Sequence, residues 1–171
     1  MNPFATLGVE ARFDLDLGAV EKTHRELSRA LHPDRYASAG ASERREALTK
    51  AVEVNEAWRV VRDPIRRAEA LLALRGRVVS EGREPKAEPE FLMEMLELRE
   101  ALADARQARD LAAVHRMAQD IDQRYGALQA DLAAGFGSGA ALETLAAKVG
   151  ELRFYRRFLD EVSAIEDELA A

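Results

Sequence analysis

Apolar residues recur at helical spacing along nearly the whole chain. Leu17, Val20, His24, Leu27 and Leu31 stand three or four residues apart, which puts them in one stripe on one helix face. Pro33 ends that helix, because its ring fits no helix interior and disfavours helical angles at His32. A loop is expected through Ala37, Ser38, Ala39 and Gly40. Ser42, with Glu43 and Glu46 behind it, then offers a cap and an acidic first turn for a second helix. The stripe of that helix is Ala47, Ala51, Val54, Trp58 and Val61. Two striped helices joined by a short loop predict an antiparallel hairpin. Phe4 and Leu7 predict a short helix or turn over its open side. Asp63 and Pro64 restart the chain as N-cap and first helical residue. Ile65, Ala68, Leu71 and Leu72 follow as a short helix closed by Gly76.

A stretch rich in breakers comes next, with Gly76, Gly82, Pro85 and Pro89 among charged residues; it is expected to be a linker. Three more stripes lie beyond it. Phe91, Met95, Leu98, Leu102 and Ala105 form the first. Leu111, Val114, Ala118, Ile121, Tyr125, Leu128 and Leu132 form the second. Leu142, Leu145, Val149, Leu152, Tyr155, Leu159, Val162 and Leu169 form the third, with one shift of phase. Gly135-Phe136-Gly137-Ser138-Gly139 is expected to break the second from the third. The prediction is an all-α chain: a helical hairpin with its following short helix over residues 1–75, a linker over 76–89, and a three-helix bundle over 90–171.

Composition narrows the functional classes. Charged residues make up 33% of the 171 positions and the formal net charge is −6, a poor balance for a dedicated nucleic-acid binder. The halves differ: residues 1–75 carry 13 basic and 12 acidic residues, residues 76–171 carry 12 and 19. Cysteine is absent, which removes disulfides, thiol nucleophiles and thiolate metal ligands. No apolar run is long enough to span a membrane, and the first residues lack a signal-peptide pattern. The expected location is the cytoplasm.

Catalytic signatures are scarce. There is no phosphate-cradling glycine loop, Gly-x-Ser-x-Gly elbow or His-Glu-x-x-His. His24 lies in an apolar stripe and is expected to be a packed imidazole; His115 flanks a stripe and is expected at the surface. Neither metal nor cofactor is expected. The tripeptide His32-Pro33-Asp34 stands out at the turn of the hairpin. Lys22, Arg25 and Arg29 precede it on the helix face opposite the stripe. Alone, these residues fit a solvated basic face with a turn, or a basic docking surface ending in a rigid polar knob. An acid–base pair of His32 and Asp34 is disfavoured, because no nucleophile, cofactor loop or metal ligand accompanies it.

The segment from Phe4 to Gly8, the helix from Leu17 to Leu31, His32-Pro33-Asp34-Arg35, and the run from Val54 to Trp58 with Asp63-Pro64 resemble a J-domain. The resemblance implies a co-chaperone of a DnaK-type ATPase. His32, Pro33, Asp34 and Arg35, with Lys22, Arg25 and Arg29, would dock on the chaperone and stimulate its ATP hydrolysis. Arg35 stands where lysine is frequent and keeps the charge.

The second region has a further face. With Phe91 at 0° and roughly 100° per residue, Met93, Leu96, Glu97, Glu100 and Asp104 cluster at roughly 140–240°, away from the stripe. Scattered surface apolar residues would account for this pattern, as would an interface. Phe154 lies roughly 200° from Leu152 on its own helix. Phe91-Leu-Met-Glu-Met-Leu-Glu-Leu-Arg-Glu100, Arg67-Ala-Glu-Ala-Leu-Leu72 and Leu152-Arg-Phe154 resemble the HscB family, J-domain co-chaperones of iron–sulfur cluster assembly. That resemblance runs over essentially the whole chain. It implies an HscA-type chaperone as ATPase partner, and an IscU-type scaffold bound by Leu92, Met93, Leu96, Glu97, Glu100, Asp104 and Phe154. Asp104 is shorter than the glutamate usual at its place. The Cys-x-x-Cys zinc module of some eukaryotic relatives is excluded by the lack of cysteine. A monomer is expected, because the outer face is assigned to the scaffold. The rival is a general J-protein whose bundle binds another client, or its own copy.

Overall fold

A computed structural model describes residues 2–80, 82 and 85–170. Among them the chain forms seven α-helices and one 3-10 turn, with no strand. It divides into two compact units, Met1–Val78 and Val79–Ala171.

The first unit holds four helices. Helix α1 is Pro3–Leu7, capped by the Asn2 side chain, which accepts from the backbone nitrogens of Phe4 and Ala5 at 3.1 and 3.2 Å. It buries Phe4 and Leu7 almost completely, worth about 1.5–3 kcal/mol for each side chain, and packs chiefly on α3. Helix α2 is Leu17–Ala30, capped by Asp16. Val20 is buried and Leu17, His24, Leu27 and Leu31 are half-buried. Helix α3, Ala41–Arg62, returns antiparallel and buries Ala47, Val54, Ala57 and Val61. Helix α4, Pro64–Leu74, starts at the Asp63 cap with Pro64 in its first position.

The loop expected over Ala37–Gly40 is present, preceded by a 3-10 turn over Pro33–Tyr36, since proline's fixed φ suits a first helical position. One local expectation is corrected. Helix α3 starts at Ala41 with Gly40 as its N-cap and no side-chain cap bond. Ser42 therefore lies inside the first turn.

Arg67 was not expected in the interior. It is 6% exposed. Its Nη1 donates to the Val61 carbonyl at 2.7 Å, and its guanidinium stands 4.6 Å from the centre of the Phe13 ring. A buried cation is tolerated where hydrogen bonds and an aromatic face replace water.

The second unit is an up-down-up bundle of α5 (Pro89–Gln107), α6 (Leu111–Ser138) and α7 (Leu142–Ala170). Met95, Leu102, Val114, Ile121, Leu132, Leu145, Val149, Leu152, Phe158 and Ile165 fill the core. Phe158 and Ile165 lie outside the expected α7 stripe. Leu111, expected within the α6 stripe, opens that helix and is 38% exposed. Pro89, expected in the linker, is the first residue of α5.

The glycine-rich break is also corrected. Helix α6 runs through Gly135, Phe136 and Gly137 and stops at Gly139, whose φ of +73° only glycine adopts freely. Phe136 is buried. Gly135 serves packing: a Cβ there would stand 2.7 Å from the Leu145 Cδ2. The missing side chain is the space Leu145 occupies.

Candidate functional site

Two surfaces, one on each unit, carry the residues singled out in the sequence. The first is the end of the α2–α3 hairpin. The His32 and Asp34 side chains are 59% and 92% exposed. Pro33 opens the 3-10 turn and His32 caps it: His32 Nδ1 accepts from the Asp34 backbone nitrogen at 3.3 Å. An acceptor Nδ1 places the proton of the neutral ring on Nε2. The same Nδ1 lies 3.5 Å from the Asp34 carboxylate, a pair that forms only when Nδ1 itself is protonated. The turn is thus stiff and short, with an imidazole and a carboxylate projecting.

Lys22, Arg25, Arg29 and Arg35 are all exposed. The first three follow the outer face of α2; Arg25 pairs with Glu21 one turn back. Arg29 stands in the last turn of α2, where cations suit the helix dipole. Behind this face the hairpin is held by His24. Its ring stacks on Trp58 with centroids 5.4 Å apart, and its Nε2 lies 2.9 Å from Asn55 Oδ1. His24 is half-buried packing at the hairpin seam. Helix α3 also turns Leu48 and Val52 outward, 59% and 61% exposed. The stripe analysis passed over them; their four-residue spacing outside the stripe was the available signal.

The second surface is the outer face of α5. Leu92, Met93 and Leu96 are 44%, 56% and 52% exposed. Glu97, Glu100 and Asp104 are exposed beside them. Among the described residues these three carboxylates have no ion-pair partner. Two other charges of α5 are engaged within the bundle. Glu94 pairs with Arg124 of α6, holding that guanidinium well above its ordinary pKa. Arg106 donates to Glu168 of α7 at 2.6 Å.

Phe154 of α7 reaches α5. Its ring meets Phe91 edge-on, centroids 5.6 Å apart, and Phe91 also meets Tyr155 at 5.8 Å. Phe154 is half-buried. Sequence reasoning missed Arg157, whose guanidinium stands 5.4 Å from the centre of the Phe154 ring. Its three-residue spacing from Phe154 was the signal. His115 sits apart at the rim, 3.0 Å from Glu166.

No described group of three or more histidine, aspartate or glutamate side chains is placed to hold a metal. No described helix is long and apolar enough to cross a membrane.

Comparison with known proteins covers both units. A family model described as the HSCB C-terminal oligomerisation domain matches residues 87–163. A co-chaperone protein HscB homolog of Shewanella oneidensis is 36% identical, with 99% of each chain covered. One from Burkholderia multivorans is 35% identical over 94% of this chain and 91% of its own. Among solved structures, the chaperone HscB from Vibrio cholerae aligns with a TM-score of 0.87 at 30% identity, covering 99% of both chains. The human co-chaperone protein HscB aligns with a TM-score of 0.88 at 19% identity, over 97% of this chain and 82% of that one, a likeness of fold.

Proposed function

The chain belongs to the HscB co-chaperone family, and on that premise we propose that it docks on an HscA-type, DnaK-like ATPase through His32, Pro33, Asp34 and the basic face of α2, stimulates ATP hydrolysis there, and delivers an IscU-type iron–sulfur scaffold held on α5 and α7. Hydrolysis takes place in the chaperone and the cluster travels on the scaffold. This chain supplies two contact surfaces, in the cytoplasm.

The observation that carries the reading is the outer face of α5. Three large apolar side chains stand half out of the bundle on one helix face, next to three carboxylates without partners. Burial of Leu92, Met93 and Leu96 against a partner supplies affinity, and the carboxylates steer a basic surface toward them. At the other surface, a proline-fixed turn presents the imidazole and carboxylate with little ordering cost on docking. Joining both surfaces in one chain raises the scaffold's effective concentration at the ATPase without any new contact.

A calorimetric titration with the IscU-type scaffold tests the reading. Saturable binding supports it; no binding by a folded, helical sample leaves a general J-protein with another client. The reading takes the working unit as a monomer, because the α5 face is occupied by the scaffold. The matched family model's description names oligomerisation, so light scattering across a concentration series, with and without scaffold, belongs in the same experiment. A dimer that the scaffold does not dissociate would overturn the monomer.

A further inference from the structure

The outer face of α5 is ordered in charge across its width, and the order continues onto α7. Contacts fix which neighbour lies on which side. Phe91 meets Phe154 and Arg106 meets Glu168, so α7 runs parallel to α5 at roughly 0–60° from Phe91. Glu94 meets Arg124, so α6 lies at roughly 300°. Across the outward face Arg99, at roughly 80°, lies toward α7; Leu92 and Leu96 follow at roughly 100–140°; Glu100, Met93, Asp104 and Glu97, at roughly 180–240°, lie toward α6.

Because the two helices run parallel, Arg157 stands level with Glu94, and at roughly 60° from Phe154 it lies on the side of α7 away from Lys148 and Glu166, which meet α6 at roughly 120° the other way. Arg157 is exposed and its guanidinium lies over the Phe154 ring, 5.4 Å from its centre. Like the three carboxylates, Arg99 and Arg157 have no ion-pair partner among the described residues. A ridge of leucines therefore divides an acidic flank from a cationic one.

We infer that Arg157, oriented by Phe154, is a specificity-determining contact of the scaffold-docking face, and that the partner seated there presents an acidic side chain to Arg157 and basic side chains to Glu97 and Asp104. This rests on the scaffold reading proposed above. A guanidinium stacked on a ring is held in place and recognises a carboxylate with two parallel hydrogen bonds. A partner turned end for end about the leucine ridge meets like charges on both flanks, which rejects that orientation. The leucines supply area and the two flanks supply direction.

Binding of the full chain to the IscU-type scaffold, followed by surface plasmon resonance over a range of salt, tests this with Arg157→Glu, Arg157→Lys and Leu96→Ser. Arg157 is exposed, and circular dichroism checks that the variants keep their helicity. Arg157→Glu is expected to raise Kd about tenfold or more, largely through slower association, and to change the salt dependence. Arg157→Lys is expected to keep most of the affinity. Arg157→Glu binding like wild type at every salt, while Leu96→Ser loses binding, overturns the inference and leaves the scaffold reading standing. A loss in Arg157→Lys equal to that in Arg157→Glu overturns the role of charge. Leu96→Ser binding like wild type overturns the scaffold reading, and this inference with it.

Discussion

His32 caps the turn that Asp34 belongs to: its Nδ1 faces the Asp34 backbone nitrogen at 3.3 Å, which leaves Nε2 as a donor toward solvent. The histidine therefore holds the turn from inside and offers a polar group outside. Pro33 fixes the backbone between the two, so the spacing of imidazole and carboxylate does not depend on a flexible link.

His32→Gln is expected to remove stimulation of the HscA-type ATPase and leave scaffold binding within about twofold of wild type, since the two surfaces lie on separate compact units. Single-turnover ATP hydrolysis with and without the variant measures the first. Titration with the scaffold measures the second. Stimulation at the wild-type level by His32→Gln would sink the docking assignment.

Leu96→Ser is expected to do the reverse. Leu96 is 52% exposed in the free protein, so its replacement costs the fold little. At the centre of an interface, losing such an anchor costs about 2 kcal/mol or more, roughly a thirtyfold weaker Kd. ATPase stimulation in the absence of scaffold should persist. Isothermal titration and the ATPase assay separate the two effects, and an unchanged Kd would count against the α5 face.

Helices and their outward faces were legible in the sequence because they depend on local spacing. Val20, Val54, Val61, Met95, Leu102 and Val149 recur at helical intervals, and each is buried. Met93 and Leu96 stood off the stripe, and each is exposed. What the pattern missed depends on neighbours remote in sequence. Glycine normally weakens a helix, yet α6 passes through Gly135 because Leu145 needs the space of a side chain. Arginine normally stays at the surface, yet Arg67 goes inside because Phe13 and the Val61 carbonyl wait for it. Of the break expected over Gly135–Gly139, only the end at Gly139 is a break, and for the first reason. Arg157 stands three residues from Phe154, a spacing that local pattern offers, but that Phe154 meets Phe91 of α5 depends on the fold.

Two glycines of α6 should respond oppositely to alanine. At Gly126 a Cβ would meet nothing within 4 Å, so Gly126→Ala should stabilise the bundle by about 0.5–1 kcal/mol through backbone entropy and helix propensity. At Gly135 the same methyl would collide with Leu145, which is fully buried. Overpacking of about 1–3 kcal/mol should outweigh the propensity gain. Urea midpoints of the two variants should move to opposite sides of wild type. A Gly135→Ala variant as stabilised as Gly126→Ala would show that α6 and α7 do not approach closely there.

Glu151 should make stability depend on pH in a way opposite to a salt-bridged acid. Burial holds its carboxyl above the ordinary value near 4.5; Lys148 opposes this and Asp131 adds to it. Lys148 is drawn toward Asp131, 3.1 Å away, so the nearby cation is shared. The folded state thus takes up this proton more readily than the unfolded one. Its contribution to stability is fully present below pH 4.5 and is lost as pH rises through the raised folded value. Once ionised, above the raised folded value, the half-buried carboxylate is destabilising, to an extent that solvent screening keeps modest. Glutamine keeps the shape and removes the charge. Glu151→Gln should therefore exceed wild type in urea midpoint at pH 7, and the gap should close as pH falls toward 4. A gap of the same size at both pH values would place its origin in packing, and a less stable variant at pH 7 would show that Lys148 outweighs burial.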